Sequence, residues 1–168
     1  SKSDRGVMHI DMGQELRNLR DPGSYSGRFT GEVIDAGLRM PDFMPIYLQT
    51  KKIVDNLTGA EHIIADGLAR GADQTRAFDD MMLFFRRENF QVINLAIGDD
   101  TAVKRLLARG RNDDTEDAIR KRLAWTKTDV FPQLELLKGR GRTIHEVDGE
   151  PDTQTIHQNI LSVLGLQS

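Results

Sequence analysis

Four short apolar runs, separated by longer segments with helical periodicity, constrain the fold of this chain more than any other feature. Each run is rich in β-branched residues and too short for a helix, whereas the segments between them repeat apolar residues every three to four positions. A buried strand followed by a helix, repeated along a chain, is typical of a parallel sheet with helices packed on its faces. We therefore expect a three-layer α/β/α fold with a parallel sheet, whose strands cover residues 7–10, 62–65, 92–97 and 143–147.

The helical segments have recognisable ends. Asp11 followed by Gln14 is a capping-box pattern, which predicts a helix that begins after Asp11 and stops before Pro22. Pro132 interrupts the segment that begins near residue 114, so we expect a kinked helix there. The other helices are expected near residues 29–37, 41–59, 72–89, 99–108 and 152–164.

Composition sets limits on function. The 168 residues carry 23 Lys and Arg against 26 Asp and Glu, a net charge of -3, which argues against a basic nucleic-acid-binding protein. The chain has no cysteine, which excludes disulfides, thiolate zinc sites and cysteine nucleophiles, and its four histidines are scattered. No apolar run approaches the roughly 20 residues of a membrane span, and the first residues lack a signal-peptide pattern. We expect a single cytoplasmic domain over residues 1–168, without nucleic-acid or membrane partners and without direct metal ligands.

An acidic residue follows the second apolar run. Residues 63–65 form a strand pattern that ends in Asp66-Gly67, and ligands of open α/β sheets bind beyond the carboxyl ends of the strands. An aspartate at such an end can hold the water shell of a nucleotide-bound Mg²⁺. The pattern also fits an ordinary turn or helix N-cap, which is the more common role of such an aspartate.

Arginines cluster after the predicted strand ends. A planar guanidinium binds phosphate oxygens in pairs, and several guanidinium groups together would neutralise a polyphosphate during transfer. The alternative is a solvated surface with ion pairs along the helices. Residues 120–122 cannot all face one way on a helix, so at most two of them would touch a ligand. The arginines concerned are Arg17, Arg70, Arg105, Arg109, Arg111 and Arg122.

A short polar connection, residues 110–114, joins two predicted helices. It places two neighbouring acids, Asp113 and Asp114, among arginines, and such a segment could latch a mobile lid over a ligand. An ordinary loop with a helix N-cap at Asp113 or Asp114 explains the same residues. These residues by themselves leave both interpretations open.

Six short motifs occur along the chain in a fixed order. They are His9-Ile10 with Gly13 and Leu16-Arg17; Asp35-Ala36-Gly37 with Pro41; Asp66-Gly67 with Arg70 and Gln74; Arg105 with Arg109; Arg111 with Asp113 and Asp114; and Arg-Lys-Arg-Leu at residues 120–123. Together they resemble the adenylate kinases, a family of nucleoside monophosphate kinases, from about residue 7 to about residue 165. Each motif is only moderately specific, whereas six of them in the right order are hard to obtain by chance.

This resemblance implies an enzyme that transfers the terminal phosphoryl group of ATP to AMP, with Mg²⁺ as cofactor, and gives two ADP. It also implies a P-loop kinase-like fold in which residues 24–58 form a flap over AMP and residues 109–114 form a short lid. ATP and AMP are the expected partners, and we expect a monomer. The site residues implied by the resemblance are Arg17, Met40, Arg70 and Gln74 for AMP; Arg105 and Arg109 for ATP; Asp66 for the Mg²⁺ water shell; Arg109, Arg111 and Arg122 for catalysis; and Asp113 and Asp114 for the lid.

The chain departs from the family pattern at two places near the AMP site. Met12 and Gln14 replace the family's threonine and aspartate, and Leu68-Ala69 replace a Phe-Pro pair, which removes a cis-proline near Arg70. Two alternatives therefore stay open. One is a nucleotide-binding relative without catalysis, and the other is a kinase for a different nucleoside monophosphate.

The phosphate-binding loop, G-x-x-x-x-G-K-[ST], does not occur in these 168 residues. Lys2-Ser3 is not its remnant, because only three residues separate Ser3 from the strand at Val7 and a helix must fit between the loop and that strand. In the family the strand before this loop is central in a five-stranded sheet, and without it two strand edges would face each other unpaired. We therefore expect about 25 to 30 residues, comprising strand, loop and helix, to precede Ser1, and we expect catalysis to depend on that segment.

Overall fold

The computed structural model describes residues 6–166 of the protein, so Lys2 and Ser3 lie outside the described residues. Parallel strands alternate with helices along this range, and the predicted α/β fold is confirmed. The strands are β1 (Val7–Asp11), β2 (His62–Asp66), β3 (Gln91–Ala96) and β4 (Thr143–Asp148). The helices are α1 (Met12–Asn18), α2 (Tyr25–Asp35), α3 (Phe43–Asn56), α4 (Ala72–Phe84), α5 (Asp99–Arg109), α6 (Glu116–Trp125), α7 (Phe131–Gly139) and α8 (Thr153–Val163). In this part of the chain none of the helices combines the length and the apolar character that crossing a membrane requires.

Each strand pairs with one neighbour. β1 and β2 are parallel, in a register that places Asp11 opposite Asp66 at their carboxyl ends. β3 and β4 are also parallel, with Ala96 opposite Asp148. The strands thus form two two-stranded sheets instead of one continuous sheet, because no strand within residues 6–166 is hydrogen-bonded between β2 and β3.

Helix α1 begins as the sequence predicts. The Asp11 side chain accepts a hydrogen bond from the Gln14 backbone N–H at 2.9 Å, which satisfies one of the unpaired donors of the first turn. The Gln14 side chain does not complete the capping box, because its amide contacts Asn18 at 2.7 Å and Arg17 at 3.2 Å along the helix. The helix ends at Asn18, well before Pro22.

The kinked helix predicted after residue 114 is divided into three pieces. Thr115, and not Asp113 or Asp114, is the N-cap of α6, since its side chain accepts from the Ala118 N–H at 3.2 Å. A π-helical turn over Thr126–Val130 separates α6 from α7. Pro132 lies in the first turn of α7, directly after the π-helical turn, and has no N–H to donate to the carbonyl oxygen of Thr128, four residues before it. The interruption predicted from Pro132 therefore occurs, and it takes the form of the π-helical turn.

The first sheet packs against helices α3 and α4. Ile10 of β1, Ile53 of α3 and Met82 of α4 are almost completely inaccessible to solvent and form the centre of this core with Met8 and Phe78. Burying such side chains is the main favourable contribution to folding. This packing fixes the carboxyl ends of β1 and β2, from which the loops toward the site extend.

A buried ion-pair cluster joins α4 to the connection between α7 and β4. The Asp79 side chain is 1% exposed and accepts from the Arg140 and Arg142 guanidinium groups at 2.5 and 2.6 Å. Arg142 also donates to the Glu88 carbonyl oxygen at 2.6 Å. Burial alone raises the pKa of Asp79, but the hydrogen bonds from the two arginines outweigh it and hold that pKa below its ordinary value. The cluster connects the half of the molecule that holds the first sheet to the half that holds the second.

Candidate functional site

A cavity of about 370 Å³ opens beyond the carboxyl ends of β1 and β2. This is the place where open α/β sheets bind ligands. Two carboxylates, Asp11 and Asp66, stand side by side at its floor because the parallel register pairs these two residues. Positive charge dominates its walls, which include the side chains of Arg17, Arg39, Arg70, Arg109, Arg111 and Arg122.

Arg70 follows β2 and faces the cavity. Its side chain is open to the cavity, yet enough protein surrounds it that desolvation lowers the pKa of its guanidinium; Asp66 opposes this shift, and Arg122 adds to it. The guanidinium carbon lies 5.6 Å from the centre of the Trp125 ring, within the range of a cation–π contact. Arginine stays charged at neutral pH even with a lowered pKa, so Arg70 offers an exposed cation to an anion in the cavity.

Arg17 extends from α1 toward the same space. Its guanidinium lies 3.9 Å from the Asp11 carboxylate and 3.2 Å from the Gln14 side-chain oxygen. A Cβ atom on Gly13 would come within 3.0 Å of this guanidinium, so the absence of a side chain at residue 13 lets Arg17 fold back against the helix. Gln14, which replaces an aspartate of the family pattern, thus contacts an arginine that lines the cavity.

Met40 and Gln74 form part of the cavity wall on the side of α3 and α4. Gln74 is 1% exposed; its amide group donates to Asp42 at 2.8 Å and accepts from the Arg70 backbone N–H at 3.2 Å. These two bonds fix the orientation of the amide. Because the Gln74 side chain accepts from the Arg70 backbone, it also helps to fix the position of Arg70.

Asp42 belongs to a series of charged side chains whose contacts the sequence does not reveal. Arg39 contacts Asp42 and also pairs with Asp129 of the π-helical turn, Nε to Oδ2, at 2.9 Å. A Cβ atom on Gly71 would come within 2.6 to 2.9 Å of the Arg39 and Asp42 side-chain atoms, so a side chain at residue 71 would force this pair to shift. Arg39 and Asp129 are about ninety residues apart in sequence, and a contact of that range leaves no local signal.

The polar connection between α5 and α6 brings arginines and acids together. Arg109 binds Asp114 through two hydrogen bonds of 2.8 and 2.9 Å, and the Asp114 side chain is fully buried. Arg122 lies 3.3 Å from the same carboxylate and 3.4 Å from that of Asp113. Burial by itself raises the pKa of Asp114, but Arg109 and Arg122 lower that pKa by more. The pKa of Asp114 therefore lies below its ordinary value. Asp114 therefore holds two arginines at the cavity wall as a permanent anion.

Arg111 and Arg105 differ in their relation to the cavity. Arg111 is exposed and lines it. Arg105 does not line it, because its guanidinium donates to the backbone oxygens of Gly149, Glu150 and Pro151 at 2.5, 2.6 and 2.7 Å. Of the predicted site residues, only Arg105 and the buried Asp114 lie outside the cavity lining, and Asp114 acts through its arginines.

Three charged or aromatic residues of the cavity lining are not among the residues that the sequence predicts for the site. The sequence marks Asp11 only as a helix cap, although the pairing of β1 with β2 aligns it with Asp66. Arg39 and Trp125 also line the cavity, and only their residue types could have marked them. Within residues 6–166 no group of three or more histidine, aspartate or glutamate side chains is arranged to hold a metal ion directly.

Comparison with known proteins places this geometry in context. The family model for adenylate kinase matches residues 2–142. The adenylate kinase of Nocardia farcinica (strain IFM 10152) is 30% identical over 163 residues, which is 95% of this chain and 86% of that protein. Adenylate kinase 1 of Synechocystis sp. (strain ATCC 27184 / PCC 6803 / Kazusa) is 30% identical over 155 residues, covering 92% of this chain and 82% of its own length. The adenylate kinase of Maricaulis maris (strain MCS10) is 30% identical over 166 residues, or 96% of this chain and 87% of that protein.

Proposed function

The chain belongs to the adenylate kinase family and is an adenylate kinase-like phosphotransferase, and from this premise we propose that the cavity beyond β1 and β2 is its nucleoside monophosphate site. One observation carries the proposal. Six arginines from five separate parts of the chain converge on a single cavity at the carboxyl ends of the strands. Such a concentration of guanidinium groups suits a phosphate-bearing ligand and costs folding free energy through mutual repulsion.

The monophosphate is placed by two arginines and a buried wall. We assign the phosphate of AMP to Arg17 and Arg70, whose guanidinium groups flank the floor of the cavity. The base extends toward Met40 and Gln74, where an apolar surface adjoins an amide. Beyond its bonds to Asp42 and the Arg70 backbone, the Gln74 amide keeps one N–H and one oxygen lone pair. These can donate to and accept from the same edge of adenine, which favours adenine over bases with a different pattern.

The transfer of the phosphoryl group needs positive charge more than it needs a general base. We assign stabilisation of the transferring phosphoryl group to Arg109, Arg111 and Arg122, because charge on its oxygens develops where guanidinium groups are already fixed. Asp114 preorganises two of these arginines, and Asp113 steadies Arg122. Residues 109–114 are proposed as the lid and residues 24–58 as the flap over the monophosphate.

Adenylate kinases act on ATP and AMP and use ATP with Mg²⁺. The residues at the cavity floor fit this ion, since Mg²⁺ is usually held by one or two carboxylates together with waters and substrate phosphates rather than by a protein cage. Asp66, with Asp11 beside it, would hold its water shell. When bound, Mg²⁺ neutralises negative charge on the phosphates.

We assign the base of ATP to the neighbourhood of Arg105. Three backbone carbonyl groups hold the plane of its guanidinium, so it presents a fixed flat face on which a base can stack.

The monomeric state and the cytoplasmic location also remain predictions. The comparisons give no support to the alternative of an inactive relative.

Replacing Arg70 with alanine tests the monophosphate site. We expect kcat/KM for AMP to fall roughly 10- to 100-fold, because a charge-assisted hydrogen bond to the phosphate is lost, while the fold stays intact. Steady-state kinetics with AMP varied at saturating ATP measure the effect. Arg76→Ala is the matched control, since Arg76 lies on the exposed side of α4 and pairs with Asp73. Unchanged kinetics in Arg70→Ala would remove this residue from the site.

A comparison of acceptor bases tests the assignment of Gln74. We expect kcat/KM for AMP to exceed the values for UMP, CMP and GMP by roughly 10-fold or more, because a mismatched base leaves buried polar groups unpaired. Turnover of the four monophosphates is measured at one ATP concentration. A preference for a base other than adenine contradicts the role of Gln74 and favours the kinase for a different monophosphate.

A further inference from the structure

Trp125 lies between two parts of the cavity, the turn after α2 and the side that carries Arg70. It is the only tryptophan of the chain and lies at the last residue of α6, half-buried in the cavity wall. Its indole N–H donates to the Gly37 carbonyl oxygen at 3.1 Å, and its ring lies 5.6 Å from the Arg70 guanidinium carbon. One side chain thus contacts both the flap and the phosphate-binding side.

The contact with Gly37 is held in place by close packing. Gly37 has a φ of 67°, in the left-handed region, and a Cβ atom there would come within 2.6 Å of the Ala118 Cα atom. The turn after α2 therefore packs directly against the backbone of α6, about two helical turns before Trp125. Because both partners are fixed, the indole N–H holds the turn that leads to Met40.

The contact with Arg70 replaces an ion pair. Within residues 6–166 no carboxylate lies within 4.0 Å of the Arg70 guanidinium, although Arg17, Arg109 and Arg122 each have at least one such partner. Its long side chain is constrained instead by the face of the indole ring. A ring face orients a guanidinium without neutralising it, so the full charge stays available for an anion.

We propose that Trp125 is a positioning residue of the monophosphate site. It directs Arg70 toward the phosphate and holds the flap turn at Gly37, so that the two parts are aligned before the nucleotide arrives. This role rests on the proposed function of the cavity. It also makes the indole a spectroscopic reporter, because a phosphate that binds Arg70 changes the charge beside the ring.

Two variants separate the contacts. Trp125→Phe keeps a ring face for Arg70 and removes the N–H bond to Gly37, whereas Trp125→Leu removes both. We expect KM for AMP to rise about 3-fold in Trp125→Phe and about 10-fold in Trp125→Leu, with KM for ATP within about 2-fold of wild type. Phe84→Leu is the control, since Phe84 is 80% exposed at the end of α4 and does not line the cavity.

The kinetic pattern decides between positioning and a merely structural role. An equal rise in KM for both nucleotides, or equal losses in the Phe and Leu variants, would overturn the proposal. Thermal unfolding of each variant shows whether it is folded. If Trp125→Leu does not fold, the Phe variant and the fluorescence measurement below still decide the question.

Tryptophan emission provides a second readout on the wild-type chain. AMP alone is titrated into the protein, and calorimetry under the same conditions measures binding independently. We expect the emission of Trp125 to change and to saturate at the calorimetric Kd. AMP binding without any change in emission would overturn the role of Trp125 while leaving the cavity assignment intact. No binding of AMP at all would instead overturn the assignment of the cavity, and this role with it.

Discussion

Replacing Arg122 with alanine is expected to lower kcat roughly 10²- to 10³-fold, with much smaller changes in KM for either nucleotide. Arg122 reaches the cavity wall from α6 and is held by the carboxylates of Asp113 and Asp114. A guanidinium fixed in this way interacts most strongly with charge that develops on the transferring phosphoryl group, and contributes less to binding of the ground state. Single-turnover and steady-state kinetics on the variant measure the two effects separately.

Arg120→Ala is the matched control for this experiment. Arg120 lies on the same helix, is exposed, and pairs with Glu116 at 2.7 Å, away from the cavity. Its removal should leave kcat and both KM values close to those of the wild type. If Arg122→Ala raised KM and left kcat unchanged, Arg122 would be a binding residue and its role in the transition state would be wrong.

Replacing Asp79 with alanine is expected to lower the free energy of unfolding by roughly 3 to 5 kcal/mol. The substitution leaves Arg142, whose side chain is 10% exposed, as a buried cation that has lost its carboxylate, and it removes the ion pair with Arg140. Denaturant unfolding of the variant at neutral pH measures the loss. Asp80→Ala is the control, because Asp80 is exposed and reaches Arg140 only at 3.4 Å; we expect a change within about 0.5 kcal/mol.

The same carboxylate gives the stability a defined pH dependence. Because the folded state lowers the pKa of Asp79, the unfolded chain binds this proton more readily. The stabilisation is complete above the unfolded pKa of about 3.9 and is lost as the pH falls below it toward the folded pKa. Asp79→Asn should therefore show a shallower loss of stability below pH 4 than the wild type, and an unchanged slope would contradict the assigned cause.

Local signals predicted the parts of the fold that local interactions decide. The β-branched runs located all four strands to within two residues, and Asp11 caps α1 as its position before the helix indicates. Pro132 marks the interruption between α6 and α7, although not the hydrogen-bond pattern of the π-helical turn that forms there. The pairing of strands depends on neighbours far away in sequence.

The candidate site divides in the same way. The position of β2 predicts Asp66 and Arg70 as site residues, and the order of the motifs predicts Arg109, Arg111 and Arg122. All five line the cavity. The hydrogen bond between Trp125 and Gly37 spans 88 positions, and the pair formed by Gln74 and Asp42 spans 32. Contacts of this kind are created by the packing of helices on one another, and no pattern along the chain encodes them.

The cavity draws its arginines from the ends of both sheets, which has a consequence for how the two substrates influence each other. Arg70 follows β2 of the first sheet, whereas Arg109 lies on α5, the helix that follows β3 of the second. A nucleotide that binds one side restricts the motion of that side and lowers the ordering cost for the other. Thermodynamic linkage then requires each nucleotide to raise the affinity for its partner by the same factor. Cooperativity between the donor and the acceptor would then need no contact between the two nucleotides.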